Sequence, residues 1–181
     1  MFEEVILVNE QDEETGTMEK MEAHRKAMLH RAFSIFIFNT KGEMLLQQRA
    51  LGKYHSPGLW TNTCCSHPRP GEKVNDAAVR RLMEEMGIET SITKVYDFIY
   101  RTEFLNGLTE FEFDHVYTGT YNGSLEPDKH EVKDYCYRPM QDIEDDLRNR
   151  PEKYTEWFRI AFPELIQRMQ STVGVSASDA I

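Results

Sequence analysis

The chain has 181 residues, of which 40% are hydrophobic and 29% are charged, and its formal net charge is −10 at pH 7. These values are typical of one soluble globular domain, and no apolar run is long enough to predict a membrane-spanning helix. The acidic balance argues against general nucleic-acid binding, although a local basic patch or a metal ion can still hold a small anion. Three cysteines, two of them adjacent, make a poor disulfide framework, so we expect reduced thiols and a cytoplasmic location.

Alternation of apolar residues predicts several strands joined by glycine-containing turns. The strand that begins at His30 or Arg31 is apolar on both faces, which indicates a central position in a sheet. The turn at 39–42 joins it to a returning strand, so the two are predicted to form a hairpin. The predicted strands cover residues 3–9, 30–38, 43–49, 92–103, 109–121 and 132–137.

Helices are predicted mainly in the second half of the chain. One helix is expected to begin with Asn75 as its N-cap and to stop at Gly87. Two more are predicted over 139–148 and 151–161, and Pro163 is expected to break the second of these before a final helical turn or two. Together with the hairpins, these elements predict an α+β fold in which helices lie on a sheet.

The stretch from Trp60 to Glu85 concentrates residues that can carry chemistry. Cys64, Cys65 and His67 precede a Pro/Gly turn and an acidic helix. A thiol, an imidazole and a carboxylate pair so close in sequence indicate a site, because loops held by rigid elements often carry function. The alternative is a buried structural thiol beside a surface histidine. Adjacent residues of an extended segment point in opposite directions, so Cys64 is interpreted as a packing thiol.

Two other polar clusters are open to two interpretations each. The hairpin is followed by a basic loop that contains Arg49, Lys53 and His55, which is either an anion-binding group or solvated charge. On the strand 109–121, Glu110 and Glu112 share one face, since alternate strand residues point the same way. That face is either part of a site or a solvated edge.

Three histidines and two carboxylates are candidates for a metal site. His24 and His30 are six positions apart, about 120° out of phase on a helix, so they converge only if the backbone changes state between them. The predicted start of a strand at His30 provides such a change. If His67, Glu110 and Glu112 join them, the five donors suit an octahedral Mn²⁺, or Zn²⁺, in a site of nitrogen and oxygen ligands.

The acidic helix resembles a degraded Nudix box. Ser66 occupies the position of the first glycine, and Arg81 that of the first glutamate in the Arg-Glu pair. In the hydrolases that glutamate belongs to the metal-binding cluster, so the departure argues against diphosphate hydrolysis. The matching residues are Glu72, Arg80, Leu82, Glu84, Glu85, Gly87 and Ile88.

The other motifs resemble the type I isopentenyl-diphosphate Δ-isomerase family, whose members have a Nudix fold but do not hydrolyse their substrate. The resemblance implies a mixed or antiparallel Nudix-type sheet sandwiched by helices. We therefore expect a single domain over residues 1–170, with a Nudix core at about 30–162, and a disordered tail over 171–181. The matching segments lie within 19–24, 29–34, 48–53, 60–68, 100–101 and 110–112.

The resemblance implies a 1,3-allylic proton shift that converts isopentenyl diphosphate to dimethylallyl diphosphate in isoprenoid biosynthesis. Cys65 and Glu112 resemble the acid/base pair, and Tyr100 the hydroxyl beside the catalytic glutamate. Glu85 resembles the carboxylate that holds a Mg²⁺ shared with the diphosphate. The residues that resemble ligands of Mn²⁺ or Zn²⁺ are His24, His30, His67, Glu110 and Glu112.

The substrate contacts implied by the resemblance involve cations and one aromatic ring. Trp157 resembles the aromatic wall of the isoprenoid pocket, although core packing is an alternative explanation for this residue. The residues that resemble the diphosphate clamp are Lys20, Arg49, Lys53 and Arg69.

Two other functions remain open from the sequence. One is a Nudix hydrolase of a nucleoside or isoprenoid diphosphate, and the other is a non-enzymatic module that binds metal or nucleotide. The second gives no reason for Cys65, Tyr100 and Glu112 to occur together. The expected partner is a small isoprenoid diphosphate, with no nucleic acid and no membrane, and the chain is expected to be a monomer or a homodimer.

Overall fold

A nine-stranded mixed sheet forms the centre of this computed structural model, which describes residues 3–176. The strands are β1 Glu4–Val8, β2 Glu14–Glu19, β3 His30–Phe38, β4 Met44–Arg49, β5 Trp60–Thr61, β6 Cys64–Ser66, β7 Ile92–Glu103, β8 Thr109–Thr120 and β9 Val132–Arg138. The helices are α1 Lys20–Lys26, α2 Val74–Met86, α3 Met140–Asn149 and α4 Glu156–Ser176, with a 3-10 turn at Pro151–Lys153.

Strand β3 lies in the middle of the sheet, as its two apolar faces predicted. It runs parallel to β8 and antiparallel to β1, β4 and β6. The parallel register sets His30 opposite Glu112, and the antiparallel register sets Ser34 opposite Cys65. The fold therefore brings three segments that are distant in sequence to one end of the sheet. The predicted α+β class with a mixed sheet is confirmed.

The two faces of β3 pack against different helices. Phe33, Ile35 and Ile37 belong to a core cluster that includes the apolar residues of α2, whereas Phe36 and Phe38 belong to a cluster that includes those of α4. This division follows from the strand geometry, because successive side chains point to opposite faces. The sheet is thus covered by α2 on one side and α4 on the other, as expected of a sandwich.

The ends of two helices differ from the prediction. Helix α2 begins at Val74 with Lys73 as its N-cap, so Asn75 lies inside the first turn and is not the cap. Pro163 lies inside α4 and does not break it, and the helix continues to Ser176. Trp157, Phe158 and neighbouring apolar residues pack in the core on both sides of the proline, and tertiary packing outweighs local propensity.

The predicted disordered tail is only partly within the described chain. Residues 171–176, which the prediction assigned to that tail, are the end of α4, and residues 177–181 lie outside the described residues. None of the helices within residues 3–176 has the length and apolar character needed to cross a bilayer.

Candidate active site

A cavity of about 300 Å³ opens at the end of the sheet where β3, β6 and β8 meet, a volume at the small end of the range for ligand sites. All but two of the predicted site residues line it. The exceptions, His24 and His30, are fully buried, and their rings lie 5.9 and 5.0 Å from the ring of His67. The lining residues from the predicted set are Lys20, Arg49, Lys53, Cys65, His67, Arg69, Glu85, Tyr100, Glu110, Glu112 and Trp157.

The backbone changes state between His24 and His30, as their convergence requires. Helix α1 ends at Ala27 in the left-handed conformation (φ 49°), and the chain then enters β3 at His30. Nδ1 of His24 donates to the carbonyl of Lys20 at 2.7 Å, and Nδ1 of His30 donates to that of Met28 at 2.8 Å. These bonds fix both tautomers, so each Nε2 carries a lone pair. Both Nε2 atoms are buried and have no hydrogen-bond partner among the described residues.

Four donors converge closely enough to hold a metal ion. His24, His30, His67 and Glu112 offer ligand atoms that all lie within 4.8 Å of one another, and all four residues are buried. Burial lowers the pKa of His24 and of His67 from 6.5 to about 4, which keeps both rings neutral at pH 7. Neutral imidazoles beside a carboxylate suit a divalent ion of borderline softness, so the donor set fits the predicted Mn²⁺ or Zn²⁺.

Glu110 and Glu112 of β8 face this cavity, and all three carboxylates on this face of the strand are shielded from solvent. Glu110 is 4% exposed, Glu112 is 6% exposed and Asp114, the next residue on the same face, is 1% exposed. Ser34 Oγ donates to Asp114 Oδ2 at 2.7 Å. The alternative of a solvated sheet edge is therefore wrong, because β8 is paired with β3 on one side and with β7 on the other, and this face is buried.

Glu110 and Glu112 differ in charge state although they are neighbours on β8. The Tyr100 hydroxyl lies 2.7 Å from Glu112 Oε2 and 3.1 Å from Glu110 Oε2. Burial, and then the charge of Glu112, raises the pKa of Glu110 well above its ordinary value. Burial acts in the same direction on Glu112, but the two imidazoles beside it outweigh this effect and hold its pKa well below the ordinary value. His67 Nε2 lies 3.0 Å from Glu112 Oε1, and His30 Nε2 lies 3.5 Å from the same oxygen. Glu112 is therefore the ionised member of the pair.

Cys65 lies on β6, is partly buried and lines the same cavity as Glu112. Burial raises the pKa of its thiol well above the ordinary value, so the thiol keeps its proton at neutral pH. Its neighbour Cys64 is fully buried in the core cluster under α2, which confirms the interpretation of Cys64 as a packing thiol. A protonated thiol is a proton donor, not a ready nucleophile.

Lysines of the predicted clamp line the cavity together with acidic partners. Lys20 Nζ lies 3.0 Å from Glu3 Oε2, and Lys53 pairs with Glu131. Arg69, at the cavity mouth, is exposed. In this structure, the two lysines of the predicted clamp are therefore paired with carboxylates of the protein itself.

Arg49 and Trp157 form one wall of the cavity. Arg49 is 6% exposed, and its guanidinium lies 5.1 Å from the centre of the Trp157 ring. Trp157 Nε1 donates to Asn62 Oδ1 at 3.2 Å, and Asn62 donates in turn to the carbonyl of Cys64 at 2.8 Å. Trp157 both packs in the core and lines the cavity, and its role as the wall of an isoprenoid pocket stays a prediction.

Comparison with known proteins identifies the family. A model described as "NUDIX domain" matches residues 28–158. A relative from Aromatoleum aromaticum named isopentenyl-diphosphate Delta-isomerase 2 is 48% identical over 180 residues, covering 98% of this chain and 94% of the relative. Another from Pectobacterium atrosepticum, named isopentenyl-diphosphate Delta-isomerase, is 48% identical over 162 residues, with 90% of each chain covered. The chain belongs to the isopentenyl-diphosphate Delta-isomerase family.

Solved structures agree on the fold. DR0079 from Deinococcus radiodurans superposes with a TM-score of 0.76 at 19% identity, covering 90% of this chain and 98% of that one. The MutT protein from Methanosarcina mazei Go1 gives a TM-score of 0.64 at 19% identity, with 77% and 94% covered. At these identities the likeness shows the common Nudix architecture and nothing more specific.

Arg81 is a site residue that the sequence revealed only as a departure from the Nudix pattern. Its guanidinium lines the cavity and donates to Glu85 Oε1 and, at 2.8 Å, to Glu84 Oε2. It also lies 3.3 Å from Glu131 Oε1. Glu85 is buried, and its other oxygen accepts from Gln47 at 3.2 Å. In this member of the isomerase family, a cation therefore occupies the part of α2 where a Nudix hydrolase has a metal-binding glutamate.

His55 is a site residue that the sequence did not predict. The basic-loop interpretation left it as an anion contact or solvated charge, but it is 5% exposed and its Nε2 lies 2.9 Å from Glu110 Oε1. Its ring stacks on Phe104 at 4.8 Å. The loop between β4 and β5 has no periodicity, so no pattern in the sequence indicated that this ring turns inward.

Proposed function

We propose that the protein converts isopentenyl diphosphate to dimethylallyl diphosphate by moving a proton from one carbon to another, as a step of isoprenoid biosynthesis. Relatives named for this reaction are 48% identical over nearly the whole chain. The observation that carries the proposal is that a protonated thiol, Cys65, and an ionised carboxylate, Glu112, line one small cavity. A shift of a proton between two carbons needs one group that donates and one that accepts.

The proposed chemistry depends on a site closed to water. An isolated alkene is a weak base, so its protonation needs an acid held against the double bond. The tertiary carbocation that forms would be captured by water. Trp157 supplies an aromatic surface that stabilises a cation without attacking it, worth about 2 kcal/mol when desolvated. Cys65 and Glu112 then act on the two faces of the planar cation, and Tyr100 positions Glu112 through its 2.7 Å hydrogen bond.

The diphosphate serves as the anchor in this proposal. Lys20 and Lys53 are expected to exchange Glu3 and Glu131 for phosphate oxygens, because a diphosphate carries more charge than a single carboxylate. Arg49 and Arg69 complete the clamp. Anchoring one end of the substrate leaves its alkene at the thiol and carboxylate end of the cavity, which is the orientation that the reaction needs.

Two divalent ions are part of the proposal. The residues that would hold Mn²⁺ or Zn²⁺ are His24, His30, His67 and Glu112, with Glu110 beside them. The buried Nε2 atoms of His24 and His30, which have no hydrogen-bond partner within residues 3–176, support this assignment. Such an ion supplies positive charge that offsets the buried carboxylates.

Glu85 would hold a Mg²⁺ shared with the diphosphate. Its oxygens bond to Arg81 and Gln47, and a carboxylate has further lone pairs for a metal ion.

A Nudix hydrolase of a nucleoside or isoprenoid diphosphate is the competing function. Purified protein should be incubated with isopentenyl diphosphate and Mg²⁺, the alkene followed by proton NMR and free phosphate by a colorimetric assay. The proposal predicts dimethylallyl diphosphate without phosphate, and no product with Cys65→Ala. Phosphate release that persists in Cys65→Ala would establish the hydrolase instead.

Several coarser expectations accompany the proposal as predictions. They are a single domain over residues 1–170, a cytoplasmic location, a monomeric or homodimeric state, and no nucleic-acid or membrane partner. Size-exclusion chromatography with light scattering measures the oligomeric state directly.

A further inference from the structure

Asn62 is a fully buried polar residue between β5 and β6, and the proposed reaction gives it no role. Its side chain uses all of its hydrogen-bonding capacity, because an amide can donate two hydrogen bonds and accept two. Oδ1 accepts from Trp157 Nε1 at 3.2 Å and from Thr61 Oγ1 at 2.7 Å. Nδ2 donates to the carbonyl of Cys64 at 2.8 Å and to that of Ile35 at 3.2 Å. These four partners fix the orientation of the amide, since its oxygen meets two donors and its nitrogen two acceptors.

Three consecutive residues that begin with β5 bond to the start of α4. The carbonyl of Trp60 accepts from the backbone nitrogen of Thr155 at 3.0 Å, and the hydroxyl of Thr61 accepts from that of Thr155 at 2.9 Å. The third contact is the bond between Asn62 and Trp157. Of these three contacts, the one at Asn62 is the one that reaches a side chain of the cavity lining. Asn62 is therefore the point at which this connection meets the cavity.

We propose that Asn62 is a positioning residue that sets the separation between the aromatic surface of Trp157 and the thiol of Cys65, an inference that rests on the proposed function. Its Oδ1 holds the indole ring, and its Nδ2 holds the carbonyl of Cys64. A peptide unit is planar, so that carbonyl fixes the plane in which the backbone nitrogen of Cys65 lies. One rigid amide thus joins the group that donates the proton to the surface that stabilises the cation.

The separation matters because the proposed intermediate is a tertiary carbocation. In the side reaction that threatens it, a lone pair of a water oxygen forms a C–O bond to the cationic carbon, and the added water then releases a proton to solvent. The product is a tertiary alcohol, 3-hydroxy-3-methylbutyl diphosphate. A ring held against the substrate excludes water, whereas a ring that can tilt away admits it. Asn62 is not among the lining residues, so it acts on the cation through Trp157 and the backbone of Cys65.

The test replaces the amide by an apolar group of similar size. In Asn62→Leu the indole and the Cys64 carbonyl lose their common partner, while the volume of the side chain is kept. Turnover of isopentenyl diphosphate in H₂O is followed by proton NMR, in which the two equivalent methyl groups of the tertiary alcohol give one signal. A misplacement of about 1 Å can cost about 10²-fold in rate, so kcat should fall by about that factor. KM should stay within about threefold of the wild-type value because the diphosphate clamp is untouched, and the alcohol should appear.

Tyr96→Phe is the matched control. It also removes a buried hydrogen bond to α4, from the Tyr96 hydroxyl to the carbonyl of Ala161 at 2.6 Å, but Tyr96 lies outside the cavity lining. This variant should form no alcohol and keep a kcat close to that of the wild type. If Asn62→Leu does not fold, as judged by circular dichroism, Asn62→Ser replaces it, since a serine is too short to reach Trp157 Nε1 and should also release the alcohol.

The same product composition in the Asn62 variant and in Tyr96→Phe would overturn the inference. A fall in kcat without the alcohol would also overturn it, because a loss of structural integrity lowers the rate and does not redirect the cation to water. Wild-type protein that forms dimethylallyl diphosphate alongside such a variant removes the positioning role alone. Wild-type protein that forms no dimethylallyl diphosphate removes the proposed function as well.

Discussion

Two groups of residues in and beside the cavity compensate the charge of their carboxylates in different ways. The metal wall, which is our name for His24, His30, His67, Glu110 and Glu112, combines neutral imidazoles with two buried carboxylates. The arginine wall consists of Arg80, Arg81, Glu85 and Glu131, and both of its carboxylates pair with Arg81. Arg80 pairs with Glu72 and Glu84, which lie outside the cavity lining. Buried carboxylates are costly without a compensating cation. The arginine wall supplies its own cations, whereas we propose that a bound ion supplies the positive charge at the metal wall.

This difference separates the protein from a Nudix hydrolase with the same fold. A hydrolase concentrates metal-binding carboxylates on the helix that corresponds to α2, but here Arg81 bonds to Glu84 and Glu85 on that helix. The candidate metal ligands lie instead on α1, β3 and β8 and, at His67, directly after β6. We infer that the reactive end of the site lies at the metal wall and that the arginine wall adds to the cationic clamp that anchors the diphosphate.

The largest expected effect is on the acid/base pair. Glu112→Gln and Cys65→Ala should each lower kcat roughly 10³-fold or more, because general acid–base groups contribute about 10²–10⁴-fold and neither variant retains its proton-transfer group. Turnover of isopentenyl diphosphate by proton NMR measures this. Cys136→Ala is the control, a thiol on β9 outside the cavity lining. Near-full activity in either test variant would remove the assignment of the pair.

The next largest expected effect is a loss of thermal stability when the ion is removed from the metal wall. Saturating metal at a hundredfold excess over Kd stabilises a protein by about 2.7 kcal/mol, which corresponds to roughly 5–10 °C in Tm at this chain length. Calorimetric Tm values of metal-loaded and chelated protein should differ by this amount, and His130→Ala, which alters an exposed histidine outside the cavity lining, should show the same difference. An unchanged Tm after chelation would show that the imidazoles and carboxylates of this wall need no cation.

A substitution in the arginine wall should have a smaller effect, mainly on KM. Arg81→Gln removes a cation that faces the cavity, and a charge-assisted hydrogen bond is worth about 1.5–3 kcal/mol, so KM should rise about ten- to a hundredfold with a smaller change in kcat. Steady-state kinetics of this variant are compared with those of Arg148→Gln, which alters an exposed arginine on α3. A loss confined to kcat would assign Arg81 to the chemical step and contradict the anchoring role.

The smallest effect is a pH dependence of the metal-free protein. Burial lowers the pKa of His67 from 6.5 to about 4, so between these values the unfolded chain binds more protons than the folded one. The free energy of unfolding should therefore fall as the pH drops from 7 to 5.5, and His67 should account for about 1 kcal/mol of that fall. Urea unfolding with a chelator present checks this by comparison with His67→Gln, in which the fall should be smaller. An identical fall in both proteins would mean that His67 is not buried as a neutral ring.

Features set by strand periodicity could be predicted from the sequence. The central place of β3 and the common face of Glu110 and Glu112 follow from the two-residue repeat of side-chain direction. The convergence of His24 and His30 required only a change of backbone state between them. What these features share is that the local pattern and the tertiary structure specify the same arrangement.

Features decided by tertiary packing were not predictable in this way. Pro163 remains inside α4 because apolar residues on both sides of it are held in the core. Asn75 has a favourable side chain for a cap, but α2 begins before it. His55 turns inward because Tyr54 and Phe104 enclose it, and Phe104 is distant in sequence. Contacts of this kind depend on elements that no local pattern relates to one another.

The most direct test of the central claim is the reaction of isopentenyl diphosphate with the wild-type protein in D₂O, followed by NMR. If Cys65 and Glu112 exchange protons with the substrate across one cavity, deuterium must appear in the new methyl group of dimethylallyl diphosphate, with no free phosphate. The same experiment with Cys65→Ala and with Glu112→Gln should give no deuterated product. Phosphate release with the alkene undeuterated and in its original position would contradict the account.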